Sequence, residues 1–241
     1  MEAQVYEEMQ QLENRHWWFL ARRKIIASVL KRSTRGNSLK ILDAGCGNGD
    51  NLSMLSTFGE VIAMEKEPVA LKRAEERQIC QVLSGQLPNN IPREVKANLD
   101  LVVLLDVLEH IDDDVNSLLN LHSLIANQGK ILITVPAYSF LWSRHDELHH
   151  HKRRYNHKQL QKLLTENGFE LEFISYFNTL LFPFALIDRL AKKVTASDDI
   201  MALPPNWLNH LLMMIFKLEA SFVGKIYLPY GLSLMALARK T

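Results

Sequence analysis

Cysteine is scarce in this 241-residue chain, occurring only at Cys46 and Cys80. Two cysteines are too few for the disulfide framework of a small secreted domain, so a reducing, cytoplasmic setting is expected. Excess charge of one sign is also lacking, because 28 basic and 27 acidic residues leave a formal net charge of +1. That balance argues against a broad nucleic-acid-binding face. Long apolar runs are absent too. The longest, Thr179–Ile187, falls far short of the ~20 residues that span a bilayer. Met1-Glu2-Ala3-Gln4 has neither a basic flank nor an apolar h-region, so no signal peptide is expected. There is no internal repeat and no low-complexity tract.

What remains is an ordinary globular composition, 47% apolar and 23% charged, on a chain long enough for one full core with additions. The most informative stretch is Lys40-Ile41-Leu42-Asp43-Ala44-Gly45-Cys46-Gly47-Asn48-Gly49. An apolar β-type run ends in an acid and drops into a glycine loop, and a helix-forming segment (50–57) follows. Strand, glycine turn and helix start let backbone approach a ligand closely and aim bare N–H groups at it. The segment therefore reads as a nucleotide-type cofactor site. Against the dinucleotide fingerprint, which is tuned to a pyrophosphate, the third glycine comes one residue early. Asp43, two residues before the first glycine, favours an ammonium group over a diphosphate.

Further strands follow in register with that reading. Val61-Ile62-Ala63-Met64-Glu65 ends in a carboxylate 20 residues past Gly45, where nucleotide folds hold ribose hydroxyls. Gln81–Leu83 leads into Ser84-Gly85-Gln86. The nearly continuous apolar run from Leu99 to Leu105 suits a central parallel strand covered on both faces, and it ends in Asp106-Val107-Leu108-Glu109-His110-Ile111. Gly129 opens a fifth strand, Lys130–Val135, stopped by Pro136; Phe169–Tyr176 reads as a sixth. Helices are expected at 67–77, 113–126 and 157–167. Such alternation implies parallel crossover units and a doubly wound α/β sheet.

The order and spacing of these motifs over Leu39–Phe177 resemble the class I S-adenosylmethionine-dependent methyltransferases, in their small-molecule branch (types 11, 12 and 23). The resemblance implies a Rossmann-like sheet of seven strands, mostly parallel, whose antiparallel last strand falls at Ser233–Ala238. It implies a methyltransferase domain over 39–177 and 231–241, a helical N-terminal extension (1–38) and a helical cap (178–230) inserted before the last strand. The implied cofactor is S-adenosyl-L-methionine, with S-adenosyl-L-homocysteine as product. Asp43, Gly45, Cys46, Gly47 and Gly49 would hold its amino-acid end, and Glu65 with Lys66 its ribose. Gln86 would lie near the adenine in place of the family's usual acid, and Asp106 and Glu109 beside the methyl-donor pocket.

A second constellation follows the fifth strand, from Tyr138 through Trp142-Ser143-Arg144-His145-Asp146-Glu147-Leu148-His149-His150-His151-Lys152-Arg153-Arg154-Tyr155. Ligands of doubly wound folds sit at the carboxyl ends of strands, so the methyl acceptor is expected here. Arginine forks match phosphates and carboxylates, so Arg153 and Arg154 are candidate anion grips, with Tyr138 and Tyr155 beside them. Pairing of these arginines with internal acids such as Asp146 is the open alternative. His145, Asp146, His150 and His151 are candidates to take a proton, since imidazole titrates near working pH. No metal is expected, because adjacent histidines fan outward and no second ligand set has zinc spacing.

The N-terminal residues Tyr6 to Lys31 look helical. Trp17-Trp18-Phe19 cannot all face one core, so Trp18 is expected at the cleft rim as a substrate contact. Gly36-Asn37-Ser38 reads as a linker. The double tryptophan, the His-Arg-Tyr loop and Pro229-Tyr230-Gly231-Leu232-Ser233 resemble a bacterial subset associated with polysaccharide, glycolipid or isoprenoid pathways. That implies a small-molecule or lipid- or glycan-linked acceptor, methylated on oxygen or nitrogen by direct displacement. The apolar segments Thr179–Leu190 and Trp207–Val223, separated by Ala196–Asp199 and Pro204-Pro205, leave three readings: a cap over the site, a homodimer face, or a peripheral membrane contact. The cap is preferred. Met213, Met214 and Phe216 suit an adaptable apolar surface or plain core. The rival functions are an NAD(P)-dependent oxidoreductase, disfavoured by the glycine spacing, and a non-catalytic cofactor-binding protein. Nucleic-acid methylation is disfavoured because the fourth strand does not end in Asn/Asp-Pro-Pro-Tyr.

Overall fold

The computed structural model describes residues 3–34, 38–184, 186–187 and 203–241. Of the expected linker, Gly36 and Asn37 lie outside the described residues, as does the polar stretch Ala196–Asp199. Strands β1 (Leu39–Ala44), β2 (Gly59–Glu65), β3 (Gln81–Ser84), β4 (Leu99–Leu105), β5 (Ile125–Pro136), β6 (Phe169–Phe177) and β7 (Ser233–Lys240) form one seven-stranded sheet. Its order is β3-β2-β1-β4-β5-β7-β6. The first five strands run parallel, and β7 lies antiparallel between β5 and β6.

Alternate side chains of each central strand enter opposite cores, which is why these strands read as continuous apolar runs. Leu42, Val102 and Leu104 join one core with Leu118, Leu121, Leu160 and Leu164. Those four come from α5 (Asp114–Leu124) and α7 (His157–Glu166). Ile41, Leu101 and Val103 join the other core with Ala21, Ile25, Ile26, Val29 and Leu30 of α2 (Trp17–Ser33). That helix is thus a layer of the sandwich and not an appendage to it. Near α2 lie α3 (Leu52–Leu55) and α8 (Asn206–Leu218), while α4 (Pro68–Glu76) adds Ala74 to the same core.

Four expectations shift. The N-terminal segment is two helices, α1 (Ala3–Leu12) and α2, because His16 caps α2, its Nδ1 accepting from Trp18 N–H at 3.3 Å. The helix after the glycine loop is a single turn, α3, so the loop and not a helix dipole supplies the bare N–H groups. β5 begins at Ile125, five residues before the expected Lys130, because Ile125 pairs with Leu99 across a register shift; this also ends α5 at Leu124. β7 runs on to Lys240, past the expected Ala238.

The segment after β6 is anchored from within. Glu219, 1% exposed, accepts backbone N–H groups of Asn178, Thr179 and Leu180 at 2.6, 2.7 and 2.9 Å. Among the described residues no helix is long and apolar enough to cross a membrane.

Candidate active site

The sheet order reverses between β1 and β4, and in doubly wound sheets the crevice opens at that point. The glycine loop leaves β1 there, beside the loop that leaves β4. Gly45 has φ +97°, and a Cβ on it would stand 2.9 Å from both methyl groups of Val107. Only glycine permits these two loops to lie so close. Between them opens a cleft of about 1470 Å³.

Gly45, Cys46, Gly47, Glu65, Lys66, Gln86 and Asp106 all line this cleft. Glu65 holds the loop in shape, accepting Gly47 N–H at 2.9 Å on one oxygen and the N–H groups of Lys66 and Glu67, both at 2.9 Å, on the other. Asp43 does not reach the cleft surface. It is 1% exposed behind Ala44 and Gly45, and its Oδ2 has no hydrogen-bond partner. Burial, then the nearby Asp50 and Glu65 carboxylates, push its pKa up to about 8 against a partial counteraction by Arg22. An ammonium group near this loop would favour the ionised carboxylate and draw that pKa back down. Gly49 also lies behind the wall, at φ +78°, packed against Leu52, Arg77 and Ala74.

The N-terminal helices form the opposite wall. Tyr6, Met9, Glu13, Trp17, Trp18 and Phe19 line the cleft, and Asn48 Nδ2 donates to the Tyr6 carbonyl at 2.8 Å. Trp17 meets Phe216 of α8 edge-on at 5.7 Å. Trp18 lies under the guanidinium of Arg22, 5.1 Å from its ring centroid. Arg22 is buried and pairs with Asp106 at 2.7 Å. It also donates to Thr134 Oγ1 at 3.0 Å, and that hydroxyl donates to Asp106 Oδ1 at 3.1 Å. Asp106 itself stands at φ +59°, an uncommon conformation for a non-glycine residue. The sequence reading missed Arg22 and Thr134. The only signal was a charged residue at an apolar-face position of α2.

The acceptor side needs more correction. Asp146 is fully buried in α6 (Arg144–Leu148) and receives Arg154 at 2.7 and 2.9 Å, His151 Nδ1 at 2.8 Å and Ser143 N–H at 2.8 Å. Burial alone would raise its pKa, but the hydrogen bonds from His151 and Arg154 hold it well below the usual carboxylate range. It is a clamp and not a proton acceptor. Arg154 is consumed by that clamp. Arg153 pairs with Asp114 at 2.7 Å, and the same carboxylate accepts the Tyr155 hydroxyl at 2.8 Å. Neither Arg153 nor Tyr155 reaches the cleft. Arg153 and Arg154 are therefore held in ion pairs, as charged residues near a core usually are, while Lys152 lines the cleft and pairs with the exposed Asp112 at 3.4 Å. Tyr138 also misses the cleft and stacks on Tyr176 at 4.9 Å.

His145, His149, His150 and His151 do line the cleft, joined by Glu109 and His110 from the β4 loop. The backbone N–H of Lys152 donates to the Glu109 carbonyl at 2.7 Å and brings the two segments together. His110 meets His151 edge-on at 4.7 Å, and His145 and His149 approach to 4.0 Å. Burial, followed by the neighbouring imidazoles, lowers the pKa of His110 to about 3 and of His149 to about 4. Glu109 is 1% exposed, and burial, then Asp106, raises its pKa well above the ordinary value. Facing this polar wall are Phe140, Leu141, Trp142, Leu181 and Phe184.

Comparison with known proteins places this geometry. A family model described as "Methyltransferase domain" matches residues 14–173. A probable S-adenosylmethionine-dependent methyltransferase of Mycobacterium tuberculosis is 24% identical over 165 residues, covering 66% of this chain and 57% of that protein. The chain thus spans little more than half the length of the curated relative it matches. Among solved structures, an S-adenosylmethionine-dependent methyltransferase from Archaeoglobus fulgidus shares the fold with TM-score 0.58, 17% identity, and coverage of 90% of this chain and 94% of that one. Phosphoethanolamine N-methyltransferase 2 of Haemonchus contortus, solved with S-adenosyl-L-methionine, gives TM-score 0.59 and 16% identity over 90% of this chain and 52% of that one. With the seven-stranded sheet, the glycine loop and the family match in hand, the chain belongs to the class I S-adenosylmethionine-dependent methyltransferases.

Proposed function

We propose that this protein transfers a methyl group from S-adenosylmethionine to an oxygen or nitrogen of an amphiphilic small acceptor, glycan- or lipid-linked. The observation that carries the reading is the shared cleft. One part is the side-chain-free glycine loop with Glu65, backed by the buried Asp43; the other is a histidine cluster with apolar side chains. That loop fits a cofactor with an ammonium-bearing tail, and Gly45 leaves room where any Cβ would collide.

When bound there, the cofactor supplies an activated methyl on its own leaving group. The chain's residues then need only align, dehydrate and orient. Glu65 fixes the loop and keeps lone-pair capacity for a ribose hydroxyl. Trp17, Trp18 and Phe19 exclude water from above. His151, held in one orientation by Asp146, is the imidazole best fixed to orient the acceptor's reactive atom and to take its proton when that atom is a hydroxyl oxygen.

The lining of the cleft supports this acceptor class. Phe140 (61% exposed) and Phe184 (71% exposed) line the cleft while remaining open to solvent, which suits an apolar chain leading away from a polar head. Ile187, Trp207, Leu211 and Met214 extend exposed apolar surface over the cap, as approach from a membrane surface would require. The two free thiols, Cys46 and Cys80, suit a cytoplasmic setting.

Titration calorimetry on the full chain with S-adenosylmethionine, S-adenosylhomocysteine and NAD tests the first step. Saturable binding of the first two is expected. Binding of NAD with no response to either sulfur compound overturns the reading.

A further inference from the structure

We propose that Glu109, His110 and His151 form a binding site for one divalent transition-metal ion on the acceptor side of the cleft. The three residues each offer a ligand atom, and these atoms lie within 4.8 Å of one another. They come from two chain segments, held together by the 2.7 Å backbone bond from Lys152 to Glu109. Closing around an ion at the ~2.0–2.2 Å of imidazole and carboxylate ligands asks for side-chain adjustment, with the backbone already in place.

The carboxylate is the second observation. Glu109 is 1% exposed, and among the described residues neither of its oxygens accepts a hydrogen bond from another residue. A buried carboxylate in that condition is costly, and native structures nearly always supply a partner. The nearby guanidinium groups make no hydrogen bond to it: Arg22 Nη2 is engaged with Asp106 and Arg154 with Asp146. A cation in direct contact would satisfy both oxygens.

The histidine side is built for the same purpose. Asp146 accepts from His151 Nδ1 at 2.8 Å, which leaves Nε2 as the ligating nitrogen. A carboxylate that fixes ring orientation from behind is the usual outer partner of a metal-bound histidine. Asp146 is itself locked by Arg154 and Ser143. Two imidazoles and one carboxylate suit zinc, iron, cobalt or manganese, and not calcium or magnesium, which take oxygen shells. Three protein ligands leave positions open toward the cleft that all three residues line. An oxygen of the acceptor can occupy one, and a hydroxyl there loses its proton to solvent more readily. With the ion in place, His151 is a ligand and no longer a base.

The chelator-treated full chain is titrated with Zn²⁺ by calorimetry and with Co²⁺ by its visible d–d absorption, with S-adenosylhomocysteine affinity measured alongside. One ion per chain is expected. Glu109→Gln and His151→Gln should each weaken it by roughly 100-fold or more, beyond the ~10–100-fold that outer partners carry. His110→Gln serves if either of these variants misfolds. His210→Ala, at an exposed residue of α8, should change nothing. The proposal is overturned by no saturable binding, or by affinity that survives these substitutions in variants that still bind S-adenosylhomocysteine. Metal binding without any S-adenosylhomocysteine binding would instead overturn the function proposed above and leave the metal site standing.

Discussion

Arg22 of α2 and Asp106 at the end of β4 stand 2.7 Å apart, so the N-terminal helix grips the loop that leaves β4. Trp18 and Thr134 complete that grip from either side. Replacing Arg22 with Gln leaves Asp106 short of its cation. Because Asp106 keeps 28% side-chain exposure, the loss belongs at the lower end for a broken buried pair, about 3 kcal/mol. Denaturant unfolding measures it. Arg22→Lys should recover little, since a point charge cannot bridge Asp106 and Thr134 together, and S-adenosylhomocysteine affinity should fall in both variants.

Gly45→Ala puts a methyl 2.9 Å from Val107 at φ +97°. Strain of about 1–3 kcal/mol is expected, with a larger proportional loss in cofactor affinity than in thermal stability. Gly47→Ala is the control for crowding, because a Cβ there meets nothing within 4 Å, and it should retain more affinity than Gly45→Ala.

Asp43 gives a pH signature. Its folded pKa is about 8 against an ordinary 3.8, so between those values the folded state holds a proton that the unfolded state has released. Stability of the unliganded protein should therefore fall as pH rises from about 4 to about 8. Asp43→Asn should flatten that slope and raise the melting temperature near pH 8. The same variant should bind S-adenosylmethionine more weakly. A melting series across pH with and without cofactor reads both effects.

Asp146 titrates in the opposite sense. Its folded pKa lies below the ordinary 3.8, so its contribution is complete above that value and is lost as pH falls beneath it. Asp146→Asn should remove this acid slope and, by stranding Arg154, cost roughly 3–5 kcal/mol. Acid unfolding monitored by circular dichroism distinguishes the variant from the parent chain.

Legibility followed locality. The glycine loop, Glu65 and the β4 ending are runs of neighbouring residues whose chemistry and backbone form one pattern, so strand order and cofactor cleft were readable. Asp43 was readable as an acid but not as a buried one, since depth behind Ala44 is set by sheet packing. For Arg153 and Arg154 the sequence left an anion grip and pairing with internal acids such as Asp146 both open; Asp146 does take Arg154, while Asp114 becomes visible as the partner of Arg153 only once α5 is placed. The meeting of Glu109 and His110 with His151 was invisible for the same reason: it rests on tertiary contacts, among them the Lys152 backbone bond to Glu109 and the pairing of Arg153 with Asp114. Arg22 carried no role in the sequence because its partners Asp106 and Thr134 lie in distant strands, met only once α2 is a layer of the core.

The antiparallel β7 has a consequence for synthesis. Among the described residues β6 has no other strand neighbour, and β7 sits between it and β5. While the ribosome still holds Ser233–Lys240, the parallel half can assemble but β6 has no strand to pair with. A nascent chain stalled before Ser233 should therefore expose β6 to proteases and chaperones, and release of these eight residues closes the molecule.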